Sequence, residues 1–167
     1  MVKLVFLVLC HEQEFASKIK TAFDAWVSNP DKNIIECKII REIDSLERMV
    51  KSIRNRIDGE ETEIVVVANE NESILSSNFK GVMNKINIKP VLICKERPVV
   101  ADTKNHNLFG FEYTPFCVLK KNEGLYETWL RFFHERSEGY RQKVNSRQET
   151  HEKALDNAKK EKVEVEN

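Results

Sequence analysis

The chain has little glycine, five residues in 167, and none between Cys10 and Gln13, where an apolar run gives way to a polar turn. A loop that cradles phosphate with its amides needs glycine to let the backbone approach, so a glycine-rich phosphate loop is excluded at that turn. Closely spaced cysteines are also absent. Cys10, Cys37, Cys94 and Cys117 are far apart with no Cys-x-x-Cys pair, which argues against a zinc centre and leaves no metal expected. Cysteines placed in this way read as reduced core residues, and the expected location is cytoplasmic. No long apolar run exists: Val2 to Leu9, interrupted by Lys3, is far short of the roughly 20 residues that span a bilayer. No small-residue cleavage site follows it, so neither a membrane span nor a signal peptide is expected. Finally, net charge is lacking, since 27 Lys and Arg balance 27 Asp and Glu, which speaks against a generally basic nucleic-acid binder.

What is present is an apolar fraction of 41%, enough for one domain with its own core. Residues 1–144 read as a single α/β domain and 145–167 as a charged tail. Val2 to Leu9 suits a buried parallel strand, and Phe15, Ile19, Ala22, Phe23 and Trp26 then recur at helical spacing. After the turn residues Ser28-Asn29-Pro30-Asp31, Ile34 to Ile40 predicts a second strand. Asp44 and Glu47 have capping-box spacing ahead of an apolar helix face of Leu46, Met49, Val50, Ile53 and Ile57, ended by Asp58-Gly59. Ile64 to Ala68 predicts a third strand. Leu75, Phe79, Val82, Met83 and Ile86 mark a third helix, and Pro90 to Cys94 a fourth strand. Leu108 to Tyr113 and Phe116 to Leu119 are both candidates for a fifth. Leu125, Trp129, Phe132, Phe133, Arg136 and Tyr140 describe a last helix. From Asn145 onward apolar residues thin out, and the tail is expected to be a solvated helical extension or disordered, fraying beyond about Lys160.

Alternating strands and helices with continuous apolar strands predict a three-layer α/β fold: a flavodoxin-like parallel sheet of about five strands, helices on both faces, and order 2-1-3-4 at its start. Ligands of such sheets bind beyond the carboxyl ends of the strands. That edge carries His11, Glu12, Arg41, Glu42, Asn69, Glu70, Asn71, Glu72, Lys95, Glu96 and Arg97. From these, His11, Glu12, Asn69, Asn71, Lys95 and Arg97 are the candidate ligand-binding residues, suited to a nucleotide-like small molecule with no cofactor implied.

Catalytic groups are harder to assemble. Asn69, an amide, stands where a phosphate-accepting aspartate would close the third strand, and Asn69-Glu70-Asn71 replaces an aspartate pair that would hold magnesium. Cys10 has no glycine-rich or arginine-bearing loop to lower its pKa, and adjacent residues such as Cys10 and His11 point to opposite faces of a strand rather than forming a dyad. Lys51, Arg54 and Arg56 with Arg41 and Arg48 are interleaved with Glu42, Asp44 and Glu47, which makes them the wet face of a helix rather than a nucleic-acid surface.

Val5-Phe6-Leu7-Val8 followed by Glu12-Gln13-Glu14-Phe15-Ala16 resembles the first strand and helix of Toll/interleukin-receptor (TIR) domains. Ile43 to Ile57, Ile64-Val65-Val66-Val67-Ala68, Ser76-Ser77-Asn78-Phe79 and Pro90-Val91-Leu92-Ile93 resemble, in order, later elements of that family. Enzymatic members cleave NAD with a glutamate on the helix after the serine-aromatic segment. Here Val82 or Met83 stands at that place, with no glutamate between Ser73 and Ile93, and Arg41-Glu42-Ile43-Asp44 replaces the family's proline-containing loop. The resemblance therefore implies a non-catalytic member whose role is protein interaction or self-association in signalling. The alternative is an enzyme or sensor binding a nucleotide-type molecule at the strand ends.

Overall fold

In the computed structural model, which describes residues 4–56, 61–76, 78–95, 111–117 and 123–166, the apolar hexapeptide Leu4–Leu9 forms β1 with every residue buried. A strand apolar on both faces must be covered on both, and it is central here. It pairs in parallel with β2 (Ile35–Ile40) on one side and β3 (Glu63–Asn69) on the other. β4 (Val91–Cys94) and β5 (Thr114–Cys117) extend the sheet, also in parallel, in the order β2-β1-β3-β4-β5. The chain has a three-layer α/β flavodoxin-like fold.

Four α-helices are described: α1 (Gln13–Trp26), α2 (Ile43–Arg54), α3 (Phe79–Ile86) and α4 (Leu125–Glu166). One core layer joins Val5, Leu7 and Leu9 of β1 and Val66 and Ala68 of β3 to Leu46, Val50 and Ile53 of α2 and Phe79, Val82, Met83 and Ile86 of α3. On the opposite face the β1 side chain of Phe6 meets Phe23 of α1 edge-on at 6.3 Å and Phe132 of α4 at 5.7 Å. Phe116 of β5 meets Phe132 at 5.2 Å. Such edge-to-face pairs add about 0.5–1.5 kcal/mol each beyond the area they bury.

Several boundaries differ from the sequence expectation. Asp44 does not cap α2; Glu42 is the N-cap, and it makes no side-chain cap bond. Asp44 lies in the first turn, where a carboxylate still favours the helix dipole. Glu47, instead of reaching back, accepts from Lys51 one turn on at 3.1 Å. The α2 helix stops at Arg54, and the Ile57 to Gly59 ending lies outside the described residues. The third helical pattern splits into a 3-10 turn at Ser73–Ser76, which buries Ile74 and Leu75, and α3, which ends on Asn87 in the left-handed conformation at φ 55°. Asparagine tolerates that conformation better than most residues.

Of the two candidate fifth strands, the second is nearer: β5 is Thr114–Cys117, while Val118 and Leu119 lie outside the described residues. Phe111 and Tyr113 are not strand. Both are buried, and Phe111 packs edge-on against Phe79 of α3 at 4.7 Å. Pro115 is accommodated because β5 is an edge strand, where a missing N–H need not cost a ladder bond.

By internal contacts the chain divides into Met1–Phe132, which holds the sheet, and Phe133–Asn167. Within the second unit α4 continues without a break to Glu166, past the expected fraying point at Lys160. There Arg141 pairs with Glu138 at 3.0 Å, and Glu152 to Ala158 are exposed.

Candidate functional site at the strand ends

In this strand order the chain leaves β1 and β3 in opposite directions across the sheet, which opens a crevice at their carboxyl ends. β1 is prolonged by one bond, from the Cys10 amide to the Ile40 carbonyl at 3.0 Å, before the chain turns through His11 and Glu12 into α1. Arg41, just past β2, holds that turn. Its Nη2 and Nε donate to the His11 carbonyl at 2.7 and 3.2 Å, and its Nη1 donates to Gln13 Oε1 at 3.1 Å.

Two carboxylates complete the frame. Glu72 Oε1 accepts the His11 amide at 2.9 Å, and Glu70 Oε1 accepts the Lys95 amide at 3.0 Å. The Glu70 amide in turn donates to the Ile93 carbonyl at 3.0 Å, and the Glu72 amide to the Asn69 carbonyl at 3.0 Å. The segment after β3 is thus tied to the segments after β1 and β4, and a glycine-free turn is kept in one shape by side chains.

The result is a depression of about 870 Å³, open to solvent and lined by the ends of β1, β3 and β4, by Arg41, and by the apolar side chains of Phe15, Ile93 and Leu125. Small-molecule sites commonly measure roughly 300–1,000 Å³. His11, Glu12, Asn69, Asn71 and Lys95 all line it; Arg97 lies outside the described residues. Arg41, Glu70 and Glu72 were legible as edge residues, but their part in fixing the turn depends on contacts across the chain. Phe15 and Leu125 gave no sequence signal for the site, because each reads as ordinary helix apolar face.

Asn69 stands apart from its neighbours. It ends a strand of valines and alanine, is only 7% exposed, and its side-chain oxygen is buried with no hydrogen-bond partner. Beyond the pairing of Leu9 with Ala68, the same register sets Cys10 level with Asn69, on the α1 face of the sheet. The Cys10 thiol donates to the Glu12 carbonyl at 3.4 Å. Burial, and after it the Glu72 carboxylate, pushes that thiol up to about 11, so it is protonated at neutral pH and is no thiolate nucleophile. Among the described residues no group of three His, Cys, Asp or Glu is placed to hold a metal.

The fold and the position of the depression define the class: a doubly wound parallel α/β domain with a cleft at its topological switch point. No protein-family model matches the chain, and no match is found among curated proteins or solved structures. Val82 and Met83 are buried in the core layer that α3 joins. Among the described residues no helix is long and apolar enough to cross a membrane.

Proposed function

We propose that this domain binds a small polar molecule in the strand-end depression, with the Asn69 amide reading a donor on the ligand. The observation that carries the reading is the buried, unpartnered Asn69 oxygen at the wall of the depression. A buried acceptor left unmatched costs about 1–3 kcal/mol, a cost that persists where function uses it. Glu12, Glu70 and Glu72 outnumber Arg41 and Lys95 around the cleft, which disfavours a polyphosphate. Phe15, Ile93 and Leu125 offer an apolar wall. The fitting ligand is therefore a nucleoside-type compound, uncharged or weakly charged, with a hydrogen-bond donor and an apolar or aromatic face. Four cysteines with no disulfide among them suit a reducing cytoplasm.

A second reading, assembly with a protein partner or with itself as TIR-like modules do, is favoured by α4. That helix runs to Glu166 and leaves Leu155 48% exposed. A thermal-shift panel of nucleosides, nucleotides and dinucleotides, with light scattering across protein concentration, separates the two. A ligand that raises Tm supports the cleft, and self-association with no ligand shift supports assembly.

A further inference from the structure

β4 and β5 carry a pair of thiols in register. Cys94 and Cys117 are Cα partners across the two strands, and Cys117 packs against the core layer that contains Cys94, so both side chains face the α2/α3 side of the sheet. Neighbouring strands lie about 4.8 Å apart, inside the roughly 4.4–6.8 Å of Cα separation that a disulfide spans. Here β5 is a four-residue edge strand, paired on one side only, so it can make the small adjustment a bridge requires.

We propose that Cys94 and Cys117 form a reversible redox site, closing a β4–β5 disulfide when the protein meets a peroxide. Cys117, half-buried where Cys94 is buried, is the thiol that the oxidant reaches first. Its sulfur attacks one peroxide oxygen; the S–O bond forms, the O–O bond breaks, and the departing hydroxide takes the thiol proton as water. Cys94 then attacks the sulfenic sulfur of Cys117. The S–S bond forms, the S–O bond breaks, and hydroxide leaves with the Cys94 proton as a second water. Two thiols have lost two electrons and one peroxide has gained them.

Burial first, then Glu70 and Cys117, pushes the Cys94 thiol up to about 12, so it does not react with oxidant on its own; its attack on the sulfenic sulfur rests on the strand register that holds it beside Cys117 and not on a ready thiolate. The bridge would also act on the cleft, because Ile93, Cys94 and Lys95 form its wall at the end of β4.

The test is peptide mapping by mass spectrometry on the full-length protein, exposed to a modest excess of hydrogen peroxide and digested without reductant. The expected product is a Cys94–Cys117 cross-linked peptide lacking two hydrogens and reversed by dithiothreitol. Cys94→Ser or Cys117→Ser should abolish it, whereas Cys10→Ser and Cys37→Ser should leave it intact. Mapping of the unmutated chain alone decides the matter if a variant misfolds. Four thiols still alkylatable after peroxide, Cys117 driven to sulfonic acid with no bridge, or a bridge between other cysteines would each overturn the proposal.

Discussion

Asn69 occupies a position that a leucine would fill more comfortably. Its oxygen is buried without a partner at the end of β3, so Asn69→Leu should raise the stability of the ligand-free protein by about 1 kcal/mol while removing the polar group that the proposed ligand would meet. Urea unfolding measures the first effect. A loss of stability would mean that the amide is satisfied in solution. The buried thiols set a second residue-scale expectation. Cys10 is pushed up to about 11 and Cys37 to about 12, both chiefly by burial, from an ordinary value of 9.0. Below pH 9 folded and unfolded chains both keep these protons, and the stabilisation is whole. Above it the unfolded chain ionises first, so stability falls as pH rises and the contribution is lost at the native values. Cys37→Ala should flatten the decline of unfolding free energy between pH 9 and 11, by up to about 1.4 kcal/mol per pH unit. An unchanged slope would contradict the burial argument.

β1 and β3 were legible because a parallel strand covered on both faces has to be apolar throughout, and Leu4 to Leu9 and Val65 to Ala68 are. Val66, fully buried in the middle of β3, carries the matching prediction. Val66→Asp buries an uncompensated charge and should cost more than about 3 kcal/mol, read as loss of cooperative unfolding. A soluble, cooperatively folded variant would refute the strand's central place. Other elements resisted reading. Asp44 and Glu47 have the spacing of a capping box, but spacing cannot say which residue is the N-cap, and Glu42 takes that place while Glu47 pairs forward with Lys51. Phe111 and Tyr113 look like strand residues because aromatic residues favour strands, yet Phe111 packs against Phe79 and Tyr113 against Phe111. Asn78, between the 3-10 turn and α3, breaks an apolar pattern that is continuous in the sequence.

At the scale of the molecule, topology followed from the alternation of elements, and topology located the cleft before any side chain was placed. The cleft's character did not follow. Glu70 and Glu72 bind backbone amides of segments distant in sequence, and Asn69 is orphaned by its surroundings, neither of which a linear pattern encodes. The tail is a separate matter. Asn145, Ser146 and Glu152 to Ala158 are exposed, so a chain ending at Val144 should melt within about 2 °C of the full chain. If the full chain self-associates on dilution-series light scattering and the shortened one does not, assembly belongs to α4. The cleft is tested most directly by isothermal titration of the panel's strongest ligand into the unmutated protein and into folded Asn69→Leu. Saturable binding to the first, weakened at least about tenfold in the second, a loss of about 1.4 kcal/mol, is the predicted result. Equal affinity in both, or no binding by any compound of the panel, would contradict it.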